Sequence, residues 1–295
     1  MKTEVFMKTI TTNAVERLIP EIGTEHHKGI GGKALLICGS SGLAGACALA
    51  AEGAYRCGAG IVHCLVPKSI YPIVSTLVPE AVFSFCDEQE GARADKVSQI
   101  TEISKNCNGM LIGCGLGNNN LTAETVKELL KALEIPLVLD ADGLNVLAGG
   151  IEYLRRYKGK RVITPHPGEA ARLLGVEVCV VQSDREKYAK MLADATGAVT
   201  VLKGHNTVIC EPYGESAVCP FGNGGMGKGG SGDLLAGMIT AFICGGMKPF
   251  EAAVLGVSIH ALAGDDAADR LSKNAMMPRD ILDSIPSVFK KYSRV

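Results

Sequence analysis

Short runs in which nearly every residue is apolar recur along this chain, with helical segments between them. That alternation limits the fold more than any other feature. Residues 34–39 (ALLICG) read as a strand, 44–56 as an Ala-rich helix, and 61–66 (IVHCLV) as the next strand. Residues 110–113 and 136–140 bracket a helix at 121–133, and 161–164 and 198–203 bracket helical stretches at 169–174 and 183–195. A run that is apolar at every position suits a strand covered on both faces, hence a parallel sheet. Strand and helix in alternation predict βαβ units with right-handed crossovers. Residues 207–210 and 217–219 read as a hairpin at the far edge, and 234–244, 249–262 and 279–292 as helices. There is no linker, repeat or low-complexity stretch. The expectation is one α/β domain over 1–295, a mostly parallel sheet between two helical layers. Residues 1–30 form a lead-in, with Thr11, Thr12 and Asn13 capping a helix over 14–18.

Composition removes several classes of function. Net charge is −1 and no long basic run occurs, which argues against a nucleic-acid partner. Gly, Pro or charge breaks every apolar stretch before the roughly 18–20 residues a membrane span needs. The first ten residues lack a signal-peptide core, so a cytoplasmic protein is expected. The 11 cysteines are odd in number and none is spaced C-x-x-C. They read as free thiols, mostly buried, in a reducing compartment, with no zinc site.

The chemistry concentrates in residues 223–233, NGGMGKGGSGD, followed at once by the apolar run 234–242. The glycines let backbone N–H groups approach a ligand closely, and the loop delivers them to a helix N-terminus that favours phosphate. Asp233 at that mouth is a candidate general base, a metal partner, or only a helix cap. The loop is not a Walker A motif.

Other polar clusters fall at the C-terminal ends of the expected strands, where open α/β sheets hold their ligands. Residues 39–45 (GSSGLAG) allow a tight turn and close approach, and 113–117 (GCGLG) admit a ligand or another backbone. Asp140 and Asp142 could orient a metal-bound water or a substrate hydroxyl, and Asp142 could equally cap the next helix. His166 is held stiffly between two prolines, with Glu169 and Arg172 on the helix that follows. Lys203 opens a turn between strands and could reach a phosphate. His260 reads as a satisfied helix histidine.

Taken in order, these motifs carry a resemblance. Lys28-Gly29, the 39–45 loop, 112–117 (IGCGLG), 139–145 (LDADGLN), 164–169 (TPHPGE), 201–204 (VLKG) and the 223–233 loop together resemble the ADP/ATP-dependent NAD(P)H-hydrate dehydratases. These are carbohydrate-kinase-like repair enzymes of the ribokinase-like superfamily. The likeness runs from about Thr12 to Lys290. It implies a three-layer ribokinase-like fold. It also implies an activity: the S form of hydrated NADH or NADPH is returned to the working cofactor, with ADP (or ATP) as phosphoryl donor, Mg2+ on its phosphates, and AMP and phosphate as products. Asp233 would be the base, with the amides of Gly230, Ser231 and Gly232 as the anion hole.

Lys203, Gly204, His205, Asn206 and Thr207 would hold the adenine nucleotide together with Asn223, Gly224, Gly225, Lys228, Gly229 and Gly232. The hydrated dinucleotide would meet Ala46, Gly115, Gly117 and Asp142, then His166, Pro167, Gly168, Glu169 and Arg172, with Asp233 at the reactive ring. No protein metal ligand is assigned. A homotetramer is implied, and a separate epimerase for the R hydrate, because many relatives carry a fused N-terminal epimerase domain where this chain has its lead-in. Three residues depart from the family pattern: Cys114 stands where Pro is common, Gly227 where Ala is usual, and Ser231 where Thr is common. A small-molecule kinase for a hydroxymethylpyrimidine, a thiazole alcohol or a sugar is the alternative. A non-catalytic nucleotide-binding module is a third reading, and Asp233 argues against it.

Overall fold

The computed structural model describes residues 7–25, 27–86 and 93–293; residues 1–6 and 26 of the expected lead-in lie outside these. Among the described residues there are ten strands in one sheet. In chain order they are β1 (Lys8–Thr9), β2 (Lys33–Ile37), β3 (Ile61–Pro67), β4 (Val82–Cys86) and β5 (Gly109–Ile112). β6 (Leu137–Leu139), β7 (Arg161–Ile163), β8 (Val199–Leu202), β9 (Thr207–Cys210) and β10 (Ser216–Cys219) complete it. The spatial order is β1-β10-β9-β8-β7-β6-β5-β2-β3-β4. Pairing is parallel from β4 through β8, then antiparallel to β9 and β10.

The short apolar runs are strands because both faces of the sheet are covered. Ala34 and Leu36 of β2 enter one core cluster while Leu35 and Ile37 enter the other, as the period of two requires. The first cluster lies under the helices Ala44–Arg56, Ser231–Cys244, Pro249–Leu271 and Pro278–Tyr292. The second lies under Asn120–Ala132, Pro167–Leu174 and Arg185–Thr196. The three-layer α/β expectation therefore holds. No helix of the described residues is long and apolar enough to cross a membrane.

Two details differ from the sequence reading. The β9–β10 hairpin forms, but it is not the outermost element, because Lys8–Thr9 adds a parallel strand beyond it. β4 was not foreseen either. Its residues alternate Val, Phe, Ser, Phe, Cys and are mostly half-exposed, so it lacks the all-apolar signature of an interior strand. The cap at Thr11 is present, its Oγ1 accepting the N–H of Ala14 at 3.3 Å. The helix read as 249–262 continues to Leu271.

The chain moves from β2 outward to β3 and β4, then returns to β5 on the other side of β2. That reversal opens a crevice at the carboxyl ends of β2 and β5. The loops after those strands are the glycine segments 39–45 and 113–117, joined by a hydrogen bond from Gly39 N–H to Cys114 O, 2.8 Å.

Candidate active site

Neighbouring parallel strands end on one buried carboxylate. Asp140 follows β6 and is 1 % exposed. Thr164, after β7, donates its hydroxyl to Asp140 Oδ1 at 2.6 Å, and Lys203, after β8, donates from Nζ to the same oxygen at 2.7 Å. The thiol of Cys114, after β5, faces Asp140 Oδ2 at 3.7 Å. Burial penalises the Lys203 ammonium, yet the carboxylates of Asp140 and Glu169 outweigh that penalty and raise its pKa. Lys203 is thus fixed in the floor of the site, with Gly232 beside it: a side chain at Gly232 would come 3.1 Å from Nζ.

Ala141, the residue after Asp140, has φ 50 and ψ −117. A non-glycine residue held at positive φ is strained, and surrounding structure must maintain it. Here the strain turns the chain between Asp140, which lines the cavity, and Asp142, which points to the neighbouring loop.

The turn after β7 is built by a capping box. His166 is the N-cap of Pro167–Leu174; its N–H donates to Glu169 Oε2 at 2.8 Å, and its Nδ1 accepts from Gly168 N–H at 3.0 Å. Nδ1 is an acceptor, so the proton of the neutral ring sits on Nε2, which faces Glu169 Oε1 at 3.4 Å. Burial, then the charges of Lys203 and Arg172, lower the His166 pKa and keep it neutral. Glu169 is buried, and burial raises its pKa against the pull of Lys203, 3.9 Å away. Arg172 turns from Glu169 to Asn145, donating to Oδ1 at 2.6 Å.

The glycine loop is anchored at both ends. Asn223 accepts Gly225 N–H on Oδ1 and donates from Nδ2 to Asp265 Oδ1, each 2.9 Å. Asp265 also accepts the Gly222 N–H at 2.8 Å. At the other end the Lys228 ammonium is tied to the carbonyls of Asn274 and Met276. Gly230, with φ +99, is the N-cap of Ser231–Cys244. A side chain at Gly230 would meet Leu49 Cδ1 at 2.6 Å. Ser231 Oγ lies 3.3 Å from Nε2 of the buried His260, whose pKa burial pushes down to about 4.

Asp233 sits in the first turn of this helix and makes no side-chain cap; the N-cap is Gly230. That removes the cap reading of Asp233. Burial first, then the charge of Asp140, raise its pKa above the ordinary carboxylate value. A carboxylate pushed upward at a helix N-terminus is placed to take a proton where negative charge is also stabilised. Of the three expected anion-hole amides, that of Ser231 is already engaged, donating to the Lys228 carbonyl at 3.2 Å.

These groups share one cavity of about 930 Å³. It is lined by Asp140, His166, Pro167, Glu169 and the turn residues Lys203, Gly204, His205 and Thr207, by much of 221–233 including Asn223, Gly224, Lys228 and Gly229, and by His260. Gly225 and Asn206 are behind the lining. Gly225 is buried under Asn223, and the Asn206 carbonyl is held by Arg185 at 3.4 Å.

The remaining predicted residues form a second group. Gly117 N–H donates to Asp142 Oδ2 at 2.8 Å, and Asn145 links Asp142 to Arg172. A side chain at Gly115 would come 2.9 Å from the Ala46 methyl. Gly168 lies behind His166. Asp142 thus orients the 113–117 loop.

Sequence reading missed several groups. Asp140 was noted as half of a carboxylate pair but not assigned to the site; its role appears only when three strands converge on it. Asp265 lies in a helix with no local motif around it. Arg185, which donates to the carbonyls of Leu202 and His205, had no signal at all. The apolar end of the cavity, with Phe221, Val257 and Ala261, was likewise unannounced.

A mostly parallel αβα sheet, with a glycine-rich helix N-terminus facing a buried carboxylate at its strand ends, defines a ribokinase-like protein. The family model described as Carb_kinase, NAD(P)H-hydrate dehydratase, matches residues 34–287, and the chain belongs to that family. Its relatives include a bifunctional NAD(P)H-hydrate repair enzyme Nnr of Moorella thermoacetica, 40% identical over 98% of this chain and 55% of that protein. The chain spans about half the length of such bifunctional relatives. An ADP-dependent (S)-NAD(P)H-hydrate dehydratase of Bacillus subtilis is 34% identical over 96% of this chain and 98% of that protein. A crystal structure of the ADP/ATP-dependent dehydratase from Bacillus subtilis, co-crystallized with ATP/Mg2+, matches with a TM-score of 0.85 and 31% identity, covering 99% of this chain and 100% of that one.

Proposed function

We propose that this protein is an ADP-dependent (S)-NAD(P)H-hydrate dehydratase, returning hydrated NADH or NADPH to the working cofactor with release of AMP and phosphate. The observation that carries the reading is the carboxylate of Asp233, in the first turn of a helix whose opening residues Gly230, Ser231 and Gly232 line the cavity.

Hydroxide leaves a carbon badly and phosphate leaves well. Asp233 takes the proton of the ring hydroxyl as its oxygen bonds to the terminal phosphorus of ADP and the bond to the AMP oxygen breaks. The Gly230 and Gly232 amides stabilise the charge on the transferring oxygens. Phosphate then departs from the ring, and loss of a neighbouring proton restores the double bond. Asp140 and Lys203 hold the floor of the site: the ammonium supplies positive charge beside the Gly232 backbone, and the Asp140 charge keeps the Asp233 pKa up. The cavity suits the nucleotide. A side chain at Gly224 or Gly229 would meet no protein atom within 4 Å, so the loop offers backbone to a ligand there. Phe221, Val257 and Ala261 offer an apolar slot for the base. The groups around His166, Glu169 and Arg172 are assigned to the dinucleotide.

Magnesium fits this chain poorly as a protein-held ion. Cys114, Asp140 and Asp233 are its one close cluster of potential ligands among the described residues. Mg2+ prefers an octahedron of oxygens, whereas this cluster includes a thiol and Lys203 occupies Asp140 Oδ1. Nucleotide phosphates are the better ligands, and no step above passes through the metal.

We assign the protein to the cytoplasm and to a homotetramer. Exposed Tyr71, Ile73, Val82 and Phe85 supply apolar surface for such an assembly, and gel filtration tests it. The R hydrate would reach this site only after epimerisation by another activity. A small-molecule kinase would leave a phosphorylated alcohol. Chromatography of products from ADP and hydrated NADH separates the two: AMP and inorganic phosphate in equal amounts support the dehydratase, and a stable phosphorylated product contradicts it.

A further inference from the structure

The thiol of Cys114 is 3.7 Å from Asp140 Oδ2, and an oxygen of Asp233 joins them, all three ligand atoms lying within 4.8 Å of one another. We propose that this trio is a binding site for a soft divalent cation, Zn2+ or Cd2+, and that the bound ion blocks the site by occupying Asp233. The binding stands on the geometry alone; the block rests on the function proposed above.

The Cys114–Asp140 spacing is that of two ligands already arranged about one ion. Zinc takes thiolate sulfur at about 2.3 Å and carboxylate oxygen at about 2.0–2.2 Å, which in a tetrahedron sets sulfur and oxygen about 3.6 Å apart. The Cys114–Asp140 separation of 3.7 Å needs almost no rearrangement. A mixed sulfur and oxygen set also selects against magnesium and for the softer ions.

Charge balances as well. A Cys114 thiolate and the carboxylates of Asp140 and Asp233 carry three negative charges, and a divalent ion with the Lys203 ammonium carries three positive. Lys203 stays on Asp140 Oδ1, so the ion takes Oδ2. Cys114 gives up its proton, and one proton is released to solvent for each ion bound.

Access is open from one side. Asp140 and Asp233 line the cavity while Cys114 is fully buried behind them. The ion therefore enters through the cavity. No other three His, Cys, Asp or Glu side chains gather this closely among the described residues.

The test uses nucleotide-free protein titrated with Cd2+, read by the ultraviolet thiolate-to-cadmium absorption and by proton release in an indicator dye. The wild type should bind one ion with one proton released. Cys114→Ala and Cys114→Ser should each weaken that binding by more than about ten-fold; the serine variant keeps the packing should alanine fold poorly. Zn2+ should also inhibit hydrate recovery by the wild type at concentrations that leave Cys114→Ser untouched. Identical titrations of wild type and both variants, or no absorption change in the wild type, would overturn the site. Cd2+ binding lost in both variants without Zn2+ inhibition of the wild type would overturn the block and leave the site.

Discussion

Lys203 Nζ and Asp140 Oδ1 lie 2.7 Å apart in the floor of the cavity, at the ends of strands β8 and β6. Neither residue is free to be exchanged alone. Removing the ammonium leaves a carboxylate that is 1 % exposed with no cation on it, and breaking a buried pair in this way costs about 3–5 kcal/mol. Lys203→Ala should lower the urea-unfolding free energy by that amount. A loss below about 1 kcal/mol, the range of exposed pairs, would mean the pair is not closed off from water.

Asp233→Asn should keep nucleotide binding and lose turnover by about 10²–10⁴, the usual worth of a general base. Equilibrium binding of ADP and single-turnover recovery of the hydrate, measured on the same preparation, check the two halves. A variant that repairs the hydrate at the wild-type rate removes Asp233 from the base assignment.

The fold was legible in the sequence where strands are buried on both faces. Residues 34–39, 61–66, 110–113 and 136–140 are apolar at nearly every position, His63 and Asp140 apart, and all form interior strands. β4 and β1 lie at the two edges, where one side of a strand meets solvent and the apolar signature fades. The glycine loop and the 164–169 turn were legible because their chemistry is local. Asp265 was not, since it reaches Asn223 from 42 positions away in the chain, and no window around either residue contains both. On sequence alone Lys203 reads as a point charge that could reach a phosphate; the partner that holds it, Asp140, comes from another strand.

The raised pKa of Asp233 has opposite consequences for activity and stability. Activity needs the ionised base, so its acid limb should lie above the ordinary carboxylate value of 3.8. A folded pKa above the unfolded one gives a stabilising contribution that is present below the unfolded value and lost as pH rises through the folded value. Ionised Asp233 therefore destabilises the native state at neutral pH. Asp233→Asn should be the more stable protein at pH 7, with the gap closing as pH falls toward 3.8. Thermal unfolding of both across that range decides it; a wild type that is the more stable at neutral pH contradicts the burial argument.

His260 runs the other way. Its pKa is pushed down from 6.5 to about 4 by burial, so the folded ring stays neutral while the unfolded one takes a proton. Its contribution is present above about 6.5 and lost as pH falls toward about 4. His260→Asn, which keeps a polar partner for Ser231, should flatten the acid loss of stability over that window. An unchanged pH profile would mean that the buried imidazole does not set it.

Asp265 touches no ligand in this account; it positions the loop through Asn223 and Gly222. Hydrogen bonds to a charged group are worth about 1.5–3 kcal/mol. Asp265→Ala should therefore raise the KM for ADP by about ten-fold or more while kcat falls much less. An equal loss in both would make Asp265 part of the general scaffold instead.

The central claim is that a site built like a kinase's performs a net dehydration. It is tested by mixing the purified protein with hydrated NADH and either ADP or ATP, and following absorbance at the reduced-nicotinamide band. The account predicts full recovery of the S-hydrate absorbance with ADP, none without nucleotide, and one AMP formed per NADH restored. No recovery with either nucleotide would contradict it.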